Sequence, residues 1–302
     1  MALTNKLSAI ADAIRAKTGG TELLTLDAMP GEIEGIQTGG GDNIADELIM
    51  RTVTEVKSNA ANIGDYAFYG CLSLVSADLP LAVTIGERAF YGCGSLVSAN
   101  IPAATTVVDY MFGNCSKLVS ANIPAATSIG SGGFNNCSKL ASADFPLATS
   151  IGTQAFNNCS ELTSANIPAA TTIGNTAFGG CSNLTSADFP LATSIGGSVF
   201  NGCIMLKSAD FPAATTIAAN AFKGCYSLVS VVLRNDTVCT LSNTSAFSSC
   251  YHILGTKSNA FNPEGLKDGY IYVPDNLVDS YKAATNWSTY ADQIKPLSEY
   301  AG

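Results

Sequence analysis

Cysteine is the residue type in this sequence most able to do chemistry, and its spacing is regular. Eight of the ten cysteines recur every 22 residues, and a phenylalanine stands three positions before each of them. Zinc sites use close C-x(2–4)-C pairs, which the sequence lacks, and stacked parallel cysteines would hold their Cβ atoms too far apart for a relaxed disulfide. Buried free thiols are therefore predicted, with no metal and no cofactor. The eight are Cys71, Cys93, Cys115, Cys137, Cys159, Cys181, Cys203 and Cys225.

Nucleophilic catalysis and nucleotide chemistry find little support in the sequence. His252 is the only histidine, and no motif places a serine or cysteine beside it as a nucleophile. No glycine-rich phosphate loop follows a predicted strand and opens a helix. The sequence therefore predicts a protein that is not an enzyme.

A column of acidic and amide side chains, one in each repeat, is the second regular feature. These side chains are expected to point outward from a sheet, beside a column of serines. They could bind the hydroxyls of a carbohydrate or the amides of a peptide, Asp188 and Asp210 could share a cation, or the column could only solvate the sheet. These candidate ligand-binding residues are Asp78, Asn100, Asn122, Asp144, Asn166, Asp188 and Asp210.

Tyrosines and one arginine occupy the variable positions around the Phe-x-x-Cys turn near the start of the array. Exposed tyrosines beside an arginine are common in binding patches. The alternative is that these side chains only cover the edges of the repeats. The candidates for a binding patch are Tyr66, Tyr69, Arg88, Tyr91 and Tyr110.

A repeating unit of 22 residues must position all of these side chains. Its pattern is I-G-x-x-A-F-x-x-C-x-x-L-x-S-A-[DN]-[LIF]-P-x-A-T-x. Leu74, Ala77 and Leu79 alternate with polar residues, which predicts a short strand with one buried face, and Pro80 ends it. The isoleucine, phenylalanine and cysteine suit a tight turn that returns the chain. The pattern predicts a leucine-rich-repeat solenoid with a 22-residue period, built from short parallel strands joined by turns or 3-10 helices.

This repeat unit, from Ile63 to Cys250, resembles the BspA-like leucine-rich repeats of bacterial surface antigens. Members of that family are typically extracellular adhesion and host-matrix-binding proteins. The resemblance therefore implies a binding protein without catalytic activity.

The pattern divides the chain into four parts. Residues 1–36 form a predicted helical attachment or oligomerisation module, because Leu3, Leu7, Ile10 and Ile14 make one apolar helical stripe. Residues 37–43 are a glycine-rich linker. Residues 44–250 are the solenoid with its N-terminal cap, and residues 251–302 are a C-terminal cap of strand and helix.

Three finer expectations concern the two ends of the solenoid. A strand is predicted at residues 48–56. A degenerate ninth coil is predicted at residues 239–253, with Cys239 in the isoleucine position, three inserted residues, and a return to the pattern at Phe247, Cys250 and Ile253. The C-terminal cap is predicted to contain a strand at 270–273 and then one or two short helices through Trp287.

Two strings in the N-terminal module, at residues 7–20 and 24–33, carry a second resemblance. They read L-S-A-I-A-D-A-I-R-A-K-T-G-G and L-T-L-D-A-M-P-G-E-I, and they are similar to N-terminal segments of tail-associated proteins in phages and prophages of Gram-positive bacteria. This resemblance implies a virion protein that recognises a glycan or a protein receptor on a host surface, and whose residues 1–36 self-associate or dock onto a tail protein. The alternative is a cell-surface adhesin of the BspA-like type that binds host matrix proteins.

Charge and hydropathy restrict the partners further. The net charge of −9 disfavours nucleic acid, which is bound chiefly through lysine and arginine, and it disfavours anionic membrane surfaces. No apolar run approaches the roughly 20 residues that span a bilayer, so we predict no membrane insertion. No classical signal peptide is recognisable at the N-terminus. We therefore expect a virion protein, or one that is extracellular or at a cell surface.

Overall fold

The described part of the chain winds into a solenoid in which each 22-residue repeat adds one coil. The computed structural model describes residues 53–255, 262, 264–265 and 267–301. Within these ranges the predicted leucine-rich-repeat solenoid of short parallel strands is confirmed. The predicted module at 1–36, the linker at 37–43 and residues 44–52 of the predicted N-terminal cap lie outside the described residues. Coil one begins at Ile63 and coil five at Ile151.

One wall of the solenoid is made by the S-A-[DN] segment of each repeat. The alanine points into the core, and the serine and the acidic or amide residue point outward. The strands pair in parallel and in register, as three sheets, β1-β3-β5-β6, β8-β10 and β12-β14-β16. In chain order these long strands are β1 Glu55–Lys57, β3 Ser76–Asp78, β5 Ser98–Asn100, β6 Ser120–Asn122, β8 Ser142–Asp144, β10 Ser164–Asn166, β12 Ser186–Asp188, β14 Ser208–Asp210 and β16 Ser230–Val232.

A second parallel wall, which the sequence analysis missed, is made by the two residues that end at the isoleucine of each repeat. Val107 continues it as a single bridge to Ile129. Leu241 pairs with Ile217, so the prediction that Cys239 takes the isoleucine position is wrong. These short strands are β2 Asn62–Ile63, β4 Thr84–Ile85, β7 Ser128–Ile129, β9 Ser150–Ile151, β11 Thr172–Ile173, β13 Ser194–Ile195, β15 Thr216–Ile217 and β17 Thr240–Leu241.

The third wall contains the Phe-x-x-Cys segment and consists of overlapping turns. In coil five the backbone N–H groups of Gln154, Phe156 and Asn158 donate to carbonyl oxygens of coil six at 2.7–2.9 Å. The N–H groups between them donate to the carbonyl three residues earlier in the same coil. This alternation requires left-handed backbone at Gln154 (φ 57°) and Asn158 (φ 60°). The second of these positions is glycine or asparagine in every one of the eight regular coils, the two residues that adopt this conformation most readily.

Glycine after the isoleucine lets successive coils approach closely. A Cβ atom added at Gly152 would lie 2.6 Å from the backbone carbonyl carbon of Gly130 in the preceding coil, and an added Cβ at Gly174 would meet Gly152 in the same way. Because backbone atoms cannot move aside as a flexible side chain can, a side chain at Gly152 or Gly174 would require the coils to shift. The same position holds Val108 in coil three and Ala218 in coil eight.

The core is a column of aromatic rings surrounded by leucine, isoleucine, alanine and cysteine. Phe156 is fully buried, and its ring stacks on Phe134 at 5.3 Å and on Phe178 at 5.2 Å. Burial of this column holds adjacent coils together, because one repeat alone has too little apolar surface to offset its conformational entropy.

The C-terminal cap continues the long-strand wall and packs against the last coil. Strand β18 (Tyr270–Val273), as predicted, pairs with β16, and β19 (Ile294–Pro296), which was not predicted, pairs with β18. The short helices α1 (Tyr251–Leu254) and α2 (Val278–Ala283) and the 3-10 segments Asp275–Leu277, Trp287–Gln293 and Leu297–Glu299 complete the cap.

Side chains of the cap satisfy backbone groups that another coil would otherwise pair. The Trp287 indole N–H donates to the carbonyl of Cys239 at 2.6 Å, and the Tyr281 hydroxyl accepts from the Cys239 N–H at 2.9 Å. Asn286 donates to the carbonyl of Leu241 at 2.7 Å. Cap side chains therefore take the place of a further coil at Cys239 and Leu241, whereas the long-strand sheet ends at the edge strand β19.

Candidate functional site

The cysteine column is structural. All ten cysteines are free and buried, as predicted. The Cys159 thiol donates to the Phe134 carbonyl of the preceding coil at 3.1 Å, and its equivalents from Cys93 to Cys250 do the same. Burial raises the pKa of most of these thiols, to about 12 for Cys239, so they are uncharged and weakly nucleophilic at neutral pH. Burial is the largest cause of the raised pKa for Cys137, Cys159, Cys181, Cys203, Cys225, Cys239 and Cys250.

His252 also has a structural environment. It lies in α1, and its Nδ1 is 2.6 Å from a carboxylate oxygen of Asp268. Its side chain is only 17% exposed. The pair joins α1 to the segment that leads into β18.

Metal binding and membrane insertion gain no support from residues 53–255 and the described parts of the cap. In these residues no three His, Cys, Asp or Glu side chains lie close enough together to hold a metal ion. No helix there has the length and apolar character needed to cross a membrane. Asp188 and Asp210 do lie side by side on β12 and β14. The Arg234 guanidinium contacts Asp210 at 2.9 Å, which places a protein cation beside this carboxylate.

The polar column lies on the outer face of the long strands, as predicted, but much of its hydrogen-bonding capacity is used internally. Asn100 donates to Asp78 and Asn122 donates to Asn100, both at 2.8 Å. Asn166 donates to Asp144 at 2.7 Å. Asp188 differs from these members, because partial burial and the charge of Asp210 raise its pKa. Six of the seven members thus have a partner inside the column or in Arg234.

The five aromatic and cationic candidates form one cluster, which we call the tyrosine–arginine cluster (Tyr66, Tyr69, Arg88, Tyr91 and Tyr110). The rings of Tyr69 and Tyr91 stack at 5.3 Å, and Tyr110 meets Tyr91 edge-on at 6.3 Å. The ring centre of Tyr66 lies 5.7 Å from that of Tyr69. Side chains from coils one, two and three are therefore brought together on the turn wall.

Arg88 is held in the middle of this cluster. Its guanidinium lies 5.0 Å from the ring centre of Tyr110 and 5.8 Å from that of Tyr66. It also donates to the Tyr66 hydroxyl at 2.8 Å, which raises the pKa of Arg88, and it contacts Glu87 at 2.6 Å. These contacts fix the position of a long side chain before any partner binds, so less conformational entropy is lost on binding.

Two glycines make room for the cluster. A Cβ atom at Gly113 would lie 2.7 Å from Cδ2 of Tyr91, and one at Gly132 would overlap the ring of Tyr110. Both glycines occupy the positions that hold Tyr69 or Tyr66 in earlier coils. The rings therefore lie along the wall, over the next coil, instead of projecting straight into solvent.

Exposed aliphatic side chains on the same three coils extend the apolar surface, and the sequence analysis missed them. Val75, Val97 and Val119 form the valine stripe, one from each coil, joined by backbone hydrogen bonds of 2.7 and 2.9 Å. All three are exposed, and so is Leu72, which lies between Tyr69 and Val75 in the chain. The available signal was the pattern L-V-S-A, which occurs only in coils one, two and three, whereas coil eight has L-V-S-V.

Beyond coil three the equivalent positions become small or polar. The positions of Tyr69 and Tyr91 hold Gly113, Asn135, Asn157, Gly179, Asn201 and Lys223, and the position of the valine stripe continues as Ala141, Thr163, Thr185 and Lys207. The small and polar residues of coils four to six thus separate the apolar surface of the first three coils from Ile204, Met205, Tyr226 and Val229 in coils seven and eight.

Comparison with known proteins places the repeat region in a family. The family model for the BspA type leucine rich repeat region matches residues 51–163 and 149–261. No curated protein matches the sequence.

Several solved structures are similar to the chain. A leucine rich cell surface protein from Faecalibacterium prausnitzii is 23% identical over 66% of this chain and 77% of its own, with a TM-score of 0.33. A leucine-rich repeat protein from Bacteroides ovatus is 21% identical over 63% and 81%, with a TM-score of 0.34. A leucine rich repeat protein from T. pallidum is 22% identical over 69% and 74%, with a TM-score of 0.37.

The family model covers more than half of the chain, and it matches the same residues that form the regular coils. The repeat pattern, the parallel walls and the buried cysteine column all lie within that match. The chain belongs to the BspA type leucine rich repeat family.

Proposed function

We propose that the chain is a non-enzymatic cell-surface adhesion protein that binds a host-surface protein through its first three coils. The binding surface consists of the tyrosine–arginine cluster and the valine stripe. Family membership supports a binding role in general. The pre-positioned Arg88 between two tyrosine rings is the single observation that favours this particular surface.

The composition of the surface fits a protein partner. Tyrosine and arginine are enriched among the residues that dominate binding energy at protein interfaces. Tyr66 and Tyr69 are 39% and 41% exposed, which is high for large aromatic side chains in a monomer. Because Glu87 already pairs with Arg88, net charge contributes little, and burial of aromatic and aliphatic surface provides most of the affinity.

A cell-surface adhesin accounts for the observations better than a virion protein does. One of the similar structures is described as a cell surface protein, and the family model begins at residue 51. The resemblance of residues 7–33 to tail-associated proteins lies outside that match and outside the described residues. Assembly through residues 1–36 therefore stays a prediction.

The test is the binding of the purified chain to immobilised fibronectin, laminin and collagen, with Tyr91→Ala as the central variant. Tyr91 contacts both Tyr69 and Tyr110, so its removal opens the cluster without touching the core. We expect specific binding to at least one matrix protein and a loss of about tenfold or more in affinity for Tyr91→Ala.

Asn157→Ala is the matched control, because Asn157 occupies the same turn position in coil five. Its affinity is expected to equal that of the unaltered chain. Absence of binding to all three matrix proteins, or equal losses for the two variants, would show that the proposed surface is wrong. A melting curve for each variant separates lost binding from lost folding.

A further inference from the structure

A second group of aromatic and charged side chains lies at the opposite end of the solenoid, on the outer face of the long strands. Tyr270 and Tyr272 point outward from β18, since Ile271 and Val273 between them are buried. Tyr272 packs against Tyr300 at 4.9 Å, and Tyr270 lies 6.2 Å from Tyr272. We call these three residues the tyrosine wall (Tyr270, Tyr272 and Tyr300).

The tyrosine wall lies beside the outer face of β16, β14 and β12, which we call the polar floor. Register places Ser230 beside Tyr270 and Val232 beside Tyr272. Val232 continues the outward-facing polar column, yet its exposure is 0%, so neighbouring side chains cover it. Beyond it the floor continues as the serines and carboxylates of coils seven and six, of which Ser186 and Asp188 are exposed.

The cations of this region already have partners. Lys295 Nζ lies 5.5 Å from the ring centre of Tyr270 and 3.0 Å from Glu299. Arg234 lies 6.0 Å from the ring centre of Tyr300 and pairs with Asp210. Lys295 therefore occupies the ring face of Tyr270 on which a cationic ligand would bind. An anionic ligand would meet cations that are already neutralised, together with the further carboxylate of Asp188.

We propose that the tyrosine wall and the adjoining floor form a second binding site, separate from the first three coils, for a neutral oligosaccharide. A sugar ring presents an apolar C–H face that stacks on the ring of Tyr272, while its hydroxyls donate to carboxylates and exchange hydrogen bonds with serine. The floor supplies these groups in Ser208, Ser230 and Asp188. Asp188 is three strand spacings from Tyr272, about 14 Å, so the ligand is a short chain of sugars lying across the strands.

The test uses the full chain in native gels that contain a neutral polysaccharide (mannan, dextran or xylan) or the anionic polysaccharide heparin, with a gel without polysaccharide as reference. We expect at least one of these neutral polysaccharides to retard the protein. Tyr272→Ala should abolish the retardation, whereas Tyr272→Phe, which keeps the ring, should retain most of it. Asp188→Ala should weaken binding about tenfold, as the loss of a hydrogen-bonded charged group does.

Asp144→Ala is the matched control for Asp188→Ala. Asp144 occupies the same column two coils earlier, about 24 Å from Tyr272, and its substitution should leave retardation unchanged. Tyr91→Ala should also leave it unchanged, which separates this site from the surface of the proposed function. Asp188 lies on the exposed face, so its variant carries the test if Tyr272→Ala does not fold.

Three results would overturn the proposal. They are no retardation in any of the three neutral gels, retardation that Tyr272→Ala and Asp188→Ala leave intact, and salt-sensitive retardation in a heparin gel alone. The last result would assign the region to anions instead of neutral sugars.

Discussion

Raising the pH from 8 to 10 is expected to unfold the solenoid. A thiol has a pKa of about 8.5 in an unfolded chain, whereas burial raises the pKa of at least seven of the folded thiols. Because the folded pKa is the higher one, the stability that these thiols contribute is complete below about pH 8.5 and is lost as the pH rises above it. Each such thiol lowers the free energy of unfolding by about 1.4 kcal/mol for every pH unit above about 8.5. For seven thiols between pH 8.5 and 10 the loss reaches about 15 kcal/mol, which is as large as the total stability of a typical domain, about 5–15 kcal/mol.

Urea unfolding followed by circular dichroism at several pH values, under reducing conditions, measures this effect. The free energy of unfolding should be constant between about pH 7 and 8 and should fall steeply above pH 8.5. Cys159→Ala is the control, because it removes one titrating group. Its free energy of unfolding should fall less steeply, by about 1.4 kcal/mol per pH unit. A free energy that stays constant to pH 10 would mean that the thiols are accessible in the folded chain.

Phe156→Ala is expected to lower the free energy of unfolding by about 3–5 kcal/mol. Phe156 is fully buried in coil five, and its ring is stacked between those of Phe134 and Phe178. Truncation leaves a cavity that the neighbouring coils cannot fill, since their backbones are fixed by hydrogen bonds in three walls. Chemical denaturation of the two proteins at neutral pH measures the difference.

Phe68→Ala is the matched control at the first coil. Phe68 is only partly buried, and one phenylalanine, Phe90 at 5.1 Å, stacks on it. Its truncation should cost clearly less than that of Phe156. If coils are stabilised by stacking on both neighbours, the central coils are the most stable. Equal losses of unfolding free energy for Phe68→Ala and Phe156→Ala would contradict this.

The repeat, the buried phenylalanines and the outward polar column were predictable because a strict period fixes which residues share a wall. The short-strand wall was not predicted, because two residues per coil give no alternation to detect. The left-handed backbone was also missed. At the position of Asn158, glycine or asparagine in every regular coil indicates left-handed backbone. At the position of Gln154 and Thr176 the backbone is also left-handed, but the residue types give no sign of it. At that position three inter-coil hydrogen bonds hold the backbone in the left-handed region, although glutamine and threonine do not favour it.

The candidate residues were predictable individually, whereas their contacts were not. Tyr66, Arg88 and Tyr110 form one column because their spacing is 22 residues, and the sequence shows this. Tyr91 lies over Gly113 because glycine leaves space in the next coil. No sequence pattern links this glycine to the tyrosine. The pairing of Arg234 with Asp210 spans 24 residues instead of 22, so the periodic pattern gave no signal for it.

Hydrogen–deuterium exchange of the full chain, free and bound to the matrix protein retained in the binding assay, tests the proposed binding surface most directly. The backbone amides of residues 66–75, 88–97 and 110–119 carry the tyrosine–arginine cluster and the valine stripe. We expect the bound partner to slow exchange in these three segments and to leave residues 142–210 unchanged. Slowed exchange confined to residues 142–210, or to residues 1–41, would contradict the proposal and place the partner on the polar column or on the N-terminal module.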